Sequence, residues 1–168
     1  MALHMILVAA LAQLAPLTAP RLDAAAACVA LRADPRARDI RTVDGAMGAC
    51  YEASLAAAQR SIPTSVVASL GYYETRWRPH LVGKAGELGS MQVCAKYYPK
   101  ARVRPIEAAL DALVASRSYA THLYGRVRGR GWKPALAVFN GGTNPNWTYA
   151  DKVYGLARRV ALRRGVRL

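Results

Sequence analysis

Residues 64–93 read TSVVASLGYYETRWRPHLVGKAGELGSMQV, and this stretch decides the fold. Val66, Val67, Leu70 and Tyr73 recur at helical spacing. They predict a helix from Ser65 to about Arg76, capped by Thr64, with those four side chains turned inward. Pro79 cannot continue that helix, so Glu74 falls in its last turns. From Pro79 to Gly89 the chain reads as a loop carrying Gly83, Gly86 and Gly89. A short helix is expected to begin near Ser90 or Met91.

Working outward, the flanks are helical too. Asp23 to Arg32 reads as a short helix broken by Asp34-Pro35, because the residue before proline avoids the helical region. Asp44 can cap a helix from about Gly45 to Arg60, with Met47, Tyr51, Leu55 and Ala58 on one face and Ser61-Ile62-Pro63 as its stop. Downstream, Pro105 suits the first turn of a long helix reaching about Val127. Its buried stripe is expected to include Ile106, Leu110, Leu113, Val114, Tyr119 and Leu123. Pro134 opens a short helix stopped by Asn140-Gly141-Gly142. Asn146 or Thr148 begins a last one, with Tyr149, Val153, Leu156, Ala157 and Val160 at helical spacing. The expected class is all-α with at most a minimal β element.

The chain has 168 residues, 53% of them hydrophobic, which suits one compact domain with a real core. No repeat or low-complexity linker divides it. We place an N-terminal apolar segment at residues 1–22 and the domain at 23–168. Met5 to Ala19 is mostly apolar but interrupted by Gln13 and Pro16. It is short for a membrane span, which needs about 20 apolar residues. No Lys or Arg precedes it, as a signal peptide would require. Signal, anchor and packed helix all stay open.

The formal charge of +14 draws the chain to polyanions: nucleic acid, anionic lipid surfaces or the bacterial wall. Arg158, Arg159, Arg163, Arg164 and Arg167 crowd the C-terminus, and Arg126, Arg128, Arg130 and Lys133 form a second cluster. Both read equally as solvated surface or as polyanion-facing. Cys28, Cys50 and Cys94 lack CxxC spacing, which argues against zinc. One disulfide with a free thiol, or three buried thiols, fit the count, and Cys94 reads as packing. His80 and His122 have no paired ligand, so neither metal nor cofactor is expected. Trp132 and Trp147 suit sugar stacking or core filling equally.

Glu74 carries the chemistry. It follows an apolar run and has Tyr73 and Trp77 as near neighbours. A carboxyl among aromatics is partly desolvated, and its raised pKa lets it keep a proton near neutrality. A general acid for glycosidic cleavage needs that property. The competing reading is an exposed helix-end glutamate paired with Arg76 or Arg78.

Glu74-Thr75-Arg76-Trp77-Arg78-Pro79 followed by Gly86-Glu87-Leu88-Gly89-Ser90-Met91-Gln92-Val93 resembles the signature of the soluble lytic transglycosylases, relatives of goose-type lysozymes in the lysozyme superfamily. The family pattern is Glu-Ser-x-aromatic-x-Pro, then Gly-x-x-Gly-Leu-Met-Gln, and the spacing matches without a gap. Phe139-Asn140-Gly141-Gly142 resembles the later Tyr-Asn-x-Gly motif, and Tyr149-Ala150-Asp151-Lys152-Val153 the closing tyrosine element. The four motifs stand in order between about Thr64 and Val160. This chain departs from the pattern at Thr75 (serine in the family), Gly83 (serine), Ser90 (leucine) and Phe139 (tyrosine).

The resemblance implies a lysozyme-like catalytic domain that cleaves the β-1,4 bond between N-acetylmuramic acid and N-acetylglucosamine. It implies Glu74 as acid and base, Gln92 and Met91 in the cleft wall, Asn140 beside the scissile sugar, Tyr149 orienting Glu74, and Thr75 supplying the family's hydroxyl to the site. Such enzymes need one carboxylate, because the muramyl 6-hydroxyl attacks and leaves a 1,6-anhydro ring. Between Glu74 and Asp111 the only acids are Glu87 and Glu107. Glu87 is read as loop support or as a second acid. A hydrolytic muramidase, and a non-catalytic wall-binding or virion structural protein, are the rivals. Peptidoglycan strands are the expected partner, with virion or secretion-apparatus proteins beside them and no specific nucleic acid. The expected setting is a phage virion or the bacterial periplasm and envelope, with the virion favoured by the weakly signal-like N-terminus.

Overall fold

Short side chains bring the helices of this protein together. The computed structural model describes residues 19–168. Helix α1 (Ala19–Arg32) packs on α2 (Ala46–Ala58), and α3 (Thr64–Thr75) packs on both and on the C-terminal helix. The long α4 (Pro105–Gly129) lies against α5 (Trp132–Gly141), and α5 against α6 (Trp147–Arg163). Between α3 and α4 the chain forms a two-residue antiparallel pair, β1 (Glu87–Leu88) with β2 (Val93–Cys94). Single 3₁₀ segments at Pro35–Thr42 and Pro99–Arg102 complete the described residues. The fold is all-α with that small hairpin. Of the N-terminal segment assigned to 1–22, residues 19–22 belong to α1, and 1–18 lie outside the described residues. Among the described residues no helix is long and apolar enough to cross a membrane.

The inward faces of α3 and α6 hold Val66, Val67 and Leu70 and Val153, Leu156, Ala157 and Val160 as expected, but on α2 and part of α4 the buried faces differ because alanine, not the bulky residues, makes the contacts. In α2 the buried residues are Ala46, Ala49, Cys50, Ala53, Ser54 and Ala57, while Met47, Tyr51, Leu55 and Ala58 are only partly covered. In α4 Leu110 and Leu113 are buried with Ala108, Ala109, Ala112 and Ala120, but Val114, Tyr119 and Leu123 are exposed. In α3 Tyr72, not Tyr73, turns inward, and its hydroxyl donates to Asp39 Oδ1 at 2.6 Å.

Two caps also differ. Gly45 starts α2 at φ 73°, with no side-chain cap from Asp44. Pro63 precedes α3, and Thr64 Oγ1 donates instead to Asp23 Oδ2 of α1 at 2.7 Å. The helix expected near Ser90 is the turn between β1 and β2. It cannot be helical while Gln92 holds φ at 47°. The short helix expected from Pro134 already begins at Trp132.

Three of the five C-terminal arginines form internal ion pairs. Arg159 and Arg163 face the fully buried Asp34 carboxylate at 3.2 and 3.8 Å, and Arg164 pairs with Asp23. These pairs tie the C-terminal end of the chain to the start of α1 and to the turn that follows it. Cys28 and Cys50 are joined as a disulfide between α1 and α2, and Cys94 is a free, partly buried thiol.

Candidate active site

The end of α3 is built to present Glu74. Arg76 and Trp77 both take left-handed backbone, at φ 56° and 64°, and the Arg76 and Trp77 amides cap the Tyr72 and Gly71 carbonyls. This reversal, rather than Pro79 alone, stops the helix. It drives the Trp77 ring into the core against Gly71, where a Cβ would overlap the indole, and Trp77 Nε1 donates to Ala68 O at 2.9 Å. Trp77 is therefore a core anchor. Arg76 is engaged by Asp39, so the expected alternative of a Glu74–Arg76 pair is not the one formed.

Glu74 is half-buried and accepts a hydrogen bond from the hydroxyl of Tyr149 on α6. Burial pushes its carboxyl up to about 7, and the negative charge of Glu87 adds to this, while the Tyr149 hydrogen bond pulls the other way. Burial and the same carboxylate raise the Tyr149 phenol well above its ordinary value, so it remains a donor. The pairing expected between these two residues is present.

Glu74 opens into a cleft of about 810 Å³ between the β1–β2 hairpin, α4 and the end of α5. Glu87, Gln92 and Asn140 line it, and its only carboxylates among the described residues are Glu74 and Glu87. Glu87 Oε2 accepts from the Ala85 amide at 3.0 Å, which fits loop support. Gln92 Nε2 donates to Gly89 O at 2.9 Å and Leu81 O at 3.2 Å, which leaves its oxygen beside Gly83. A Cβ at Gly83 would overlap both Glu87 Oε2 and Gln92 Oε1. The glycine at this position leaves room for the ends of these two side chains.

Two expected binding residues are not in the cleft. Met91 is 2% exposed and belongs to the core. Thr75 is buried, donates to Ser90 O at 2.8 Å and accepts from the Arg78 amide at 3.1 Å. Its hydroxyl tethers the hairpin to the end of α3.

The opposite wall is held by a residue singled out only as a helix start. Asn146 caps α6 by accepting from the Tyr149 amide at 3.0 Å, and its Nδ2 donates to Asn140 Oδ1 at 2.9 Å. One side chain therefore orients both Asn140 and the turn that carries Tyr149. Gly141 permits this, since a Cβ there would meet the Asn146 amide. Tyr97, Tyr98, Ser116, Tyr119 and Phe139 supply aromatic and hydroxyl surface to the cleft. Of these only Phe139 carried a motif. The adjacent pair Tyr97-Tyr98 in a loop was the one sequence signal for the rest.

Trp132 and Trp147 pack outside the cleft, against Arg117 and Tyr124. Among the described residues no three His, Cys, Asp or Glu side chains gather as a metal-ligand set. Comparisons of the chain with protein-family models, with curated proteins and with solved structures found no match.

Proposed function

We propose that this protein is a peptidoglycan lytic transglycosylase on a lysozyme-like fold, with Glu74 as its single catalytic acid and base. One observation carries the reading: a half-buried glutamate, poised at about 7 and held by a tyrosine hydroxyl, opens into a cleft walled by amides and aromatic rings. Amide hydrogen bonds and aromatic faces are what a glycan strand requires. The order of the sequence motifs around Glu74, Gln92, Asn140 and Tyr149 supports the same assignment.

In this mechanism protonated Glu74 gives its proton to the glycosidic oxygen as the bond from C1 of the muramyl sugar breaks. The resulting carboxylate then takes the proton of the muramyl 6-hydroxyl, and that oxygen closes on C1 as the 1,6-anhydro ring. Tyr149 holds the carboxyl in place through both steps. The partner is the glycan strand, with virion or secretion-apparatus proteins as further candidates. The Cys28–Cys50 bridge favours the oxidising periplasm and envelope over a particle assembled in a reducing cytosol.

A second reading, a hydrolytic muramidase, draws on the presence of Glu87 in the same cleft. Mass analysis of digested peptidoglycan separates the two, because anhydro-muropeptides are lighter by one water. Glu74→Gln is expected to abolish cleavage. Unchanged wall clearing by that variant would sink both readings and leave a wall-binding or structural protein.

A further inference from the structure

A second concavity lies on a different face of α4 from the cleft. Gly125 interrupts the helix at φ 74° and ψ 167°, a conformation open to glycine and strained for any other residue. The chain then doubles back until Gly129 lies against the Ala120 carbonyl, closer than any Cβ would permit. This reversal sets Arg126 and Arg130 beside Arg117, and Arg60 closes the group from beyond the end of α2. The four arginines line a space of about 520 Å³ with Ser118 and Thr121, whose hydroxyls donate to the Val114 and Arg117 carbonyls at 3.3 and 2.9 Å. Among the described residues its lining holds no carboxylate.

The arginines are not equally free. Arg60 Nε lies 3.6 Å from Asp111 Oδ1, and its Nη1 donates to Ala56 O at 3.1 Å. Arg117 stacks over the Trp132 ring at 4.4 Å and spends its Nε on Arg130 O at 2.8 Å. That stack fixes the plane of one guanidinium at the edge of the space. Arg126 and Arg130 present exposed side chains. The like charges of Arg117, Arg126 and Arg130 around one concavity repel, and an anion with several acceptor oxygens relieves them. Guanidinium forks match the oxygens of phosphate in pairs.

We propose that this concavity binds phosphate groups, independently of the chemistry at Glu74. Inorganic phosphate is the probe, read by calorimetry and by tryptophan fluorescence, with Trp132→Phe removing the signal that belongs to the site. Arg126→Gln with Arg130→Gln is expected to weaken phosphate binding about tenfold or more, as loss of charge-assisted hydrogen bonds implies. Its melting temperature should match that of the parent. Arg36→Gln with Arg38→Gln removes the same charge from an exposed region elsewhere and should leave binding within about twofold. Equal weakening in the two pairs would overturn the proposal, because net charge alone would then explain it; so would absence of phosphate binding. Glycerol 1-phosphate in solution and phosphatidylglycerol vesicles separate a soluble source from a lipid headgroup. Dependence of either on Arg126 and Arg130 supports the site, and dependence of neither overturns it.

Discussion

Glu74 differs from an ordinary surface glutamate in which protonation state the fold prefers. Its folded value near 7 stands above the unfolded 4.5, so folding favours the neutral acid. The stabilisation is complete below the unfolded value and is lost as pH rises through 7, above which the buried charge costs about 3 kcal/mol. Glu74→Gln keeps an acceptor for Tyr149 and removes that charge. Its melting temperature should exceed that of the parent at pH 8 and equal it at pH 4, and thermal scans at the two values check this. Activity has the same sign: cleavage should fall with an apparent value near 7 as the acid form is lost. Tyr149→Phe deletes the bond that lowers the carboxyl, so the alkaline limb should move upward by about one pH unit. Turnover should drop about tenfold through lost positioning. A pH–rate profile that stays in place would show that Tyr149 only packs.

At the scale of elements, the β1–β2 hairpin depends on what is missing at Gly83. Gly83→Ala inserts a methyl group where Glu87 and Gln92 now lie. The expected result is a loss of about tenfold or more in kcat/KM with a melting temperature changed by no more than about 3 °C, since the loop is largely exposed. Full activity on peptidoglycan would mean that the placement of Glu87 and Gln92 is immaterial. The same hairpin marks how far sequence reading reached. Glu74, Gln92 and Asn140, which line one cleft, and Tyr149, which bonds Glu74, were picked out by their resemblance to ordered motifs. Thr75 and Met91 were picked out by the same resemblance but face inward, since a pattern of residue types does not say which way each side chain points. Helix positions were legible from Pro35, Pro63 and Pro105. The inward faces of α3 and α6 were legible too, through Val66, Val67 and Leu70 and through Val153, Leu156, Ala157 and Val160; those of α2 and much of α4 were not, because alanines make the closest contacts there and contribute little to a periodicity built on large side chains. Tyr97 and Tyr119 reach the cleft from segments that carry no motif, through the packing of α4 against the hairpin.

The whole molecule is basic, alanine-rich and short of large core residues, so cross-links between distant elements carry weight. Alanine buries less apolar surface than leucine or phenylalanine, and the hydrophobic contribution per contact shrinks accordingly. Three ties run through α1: the Cys28–Cys50 bridge to α2, Asp23 with Thr64 and Arg164, and Asp34 at its end with Arg159. The bridge closes a loop with a sequence separation of 22. By its effect on the unfolded chain, a loop of that length stabilises the fold by about 3 kcal/mol. Cys28→Ala with Cys50→Ala should therefore lower the melting temperature by about 6–12 °C. A reductant should lower the parent by a similar amount and leave the variant unmoved. Cleavage at low temperature should survive, because neither cysteine lines the cleft and the free Cys94 that does is untouched. A parent whose melting is indifferent to reductant would show that α1 and α2 are held by packing and by the Asp34 and Asp23 ion pairs alone. Loss of activity without loss of stability would place α1 in the mechanism rather than beneath it.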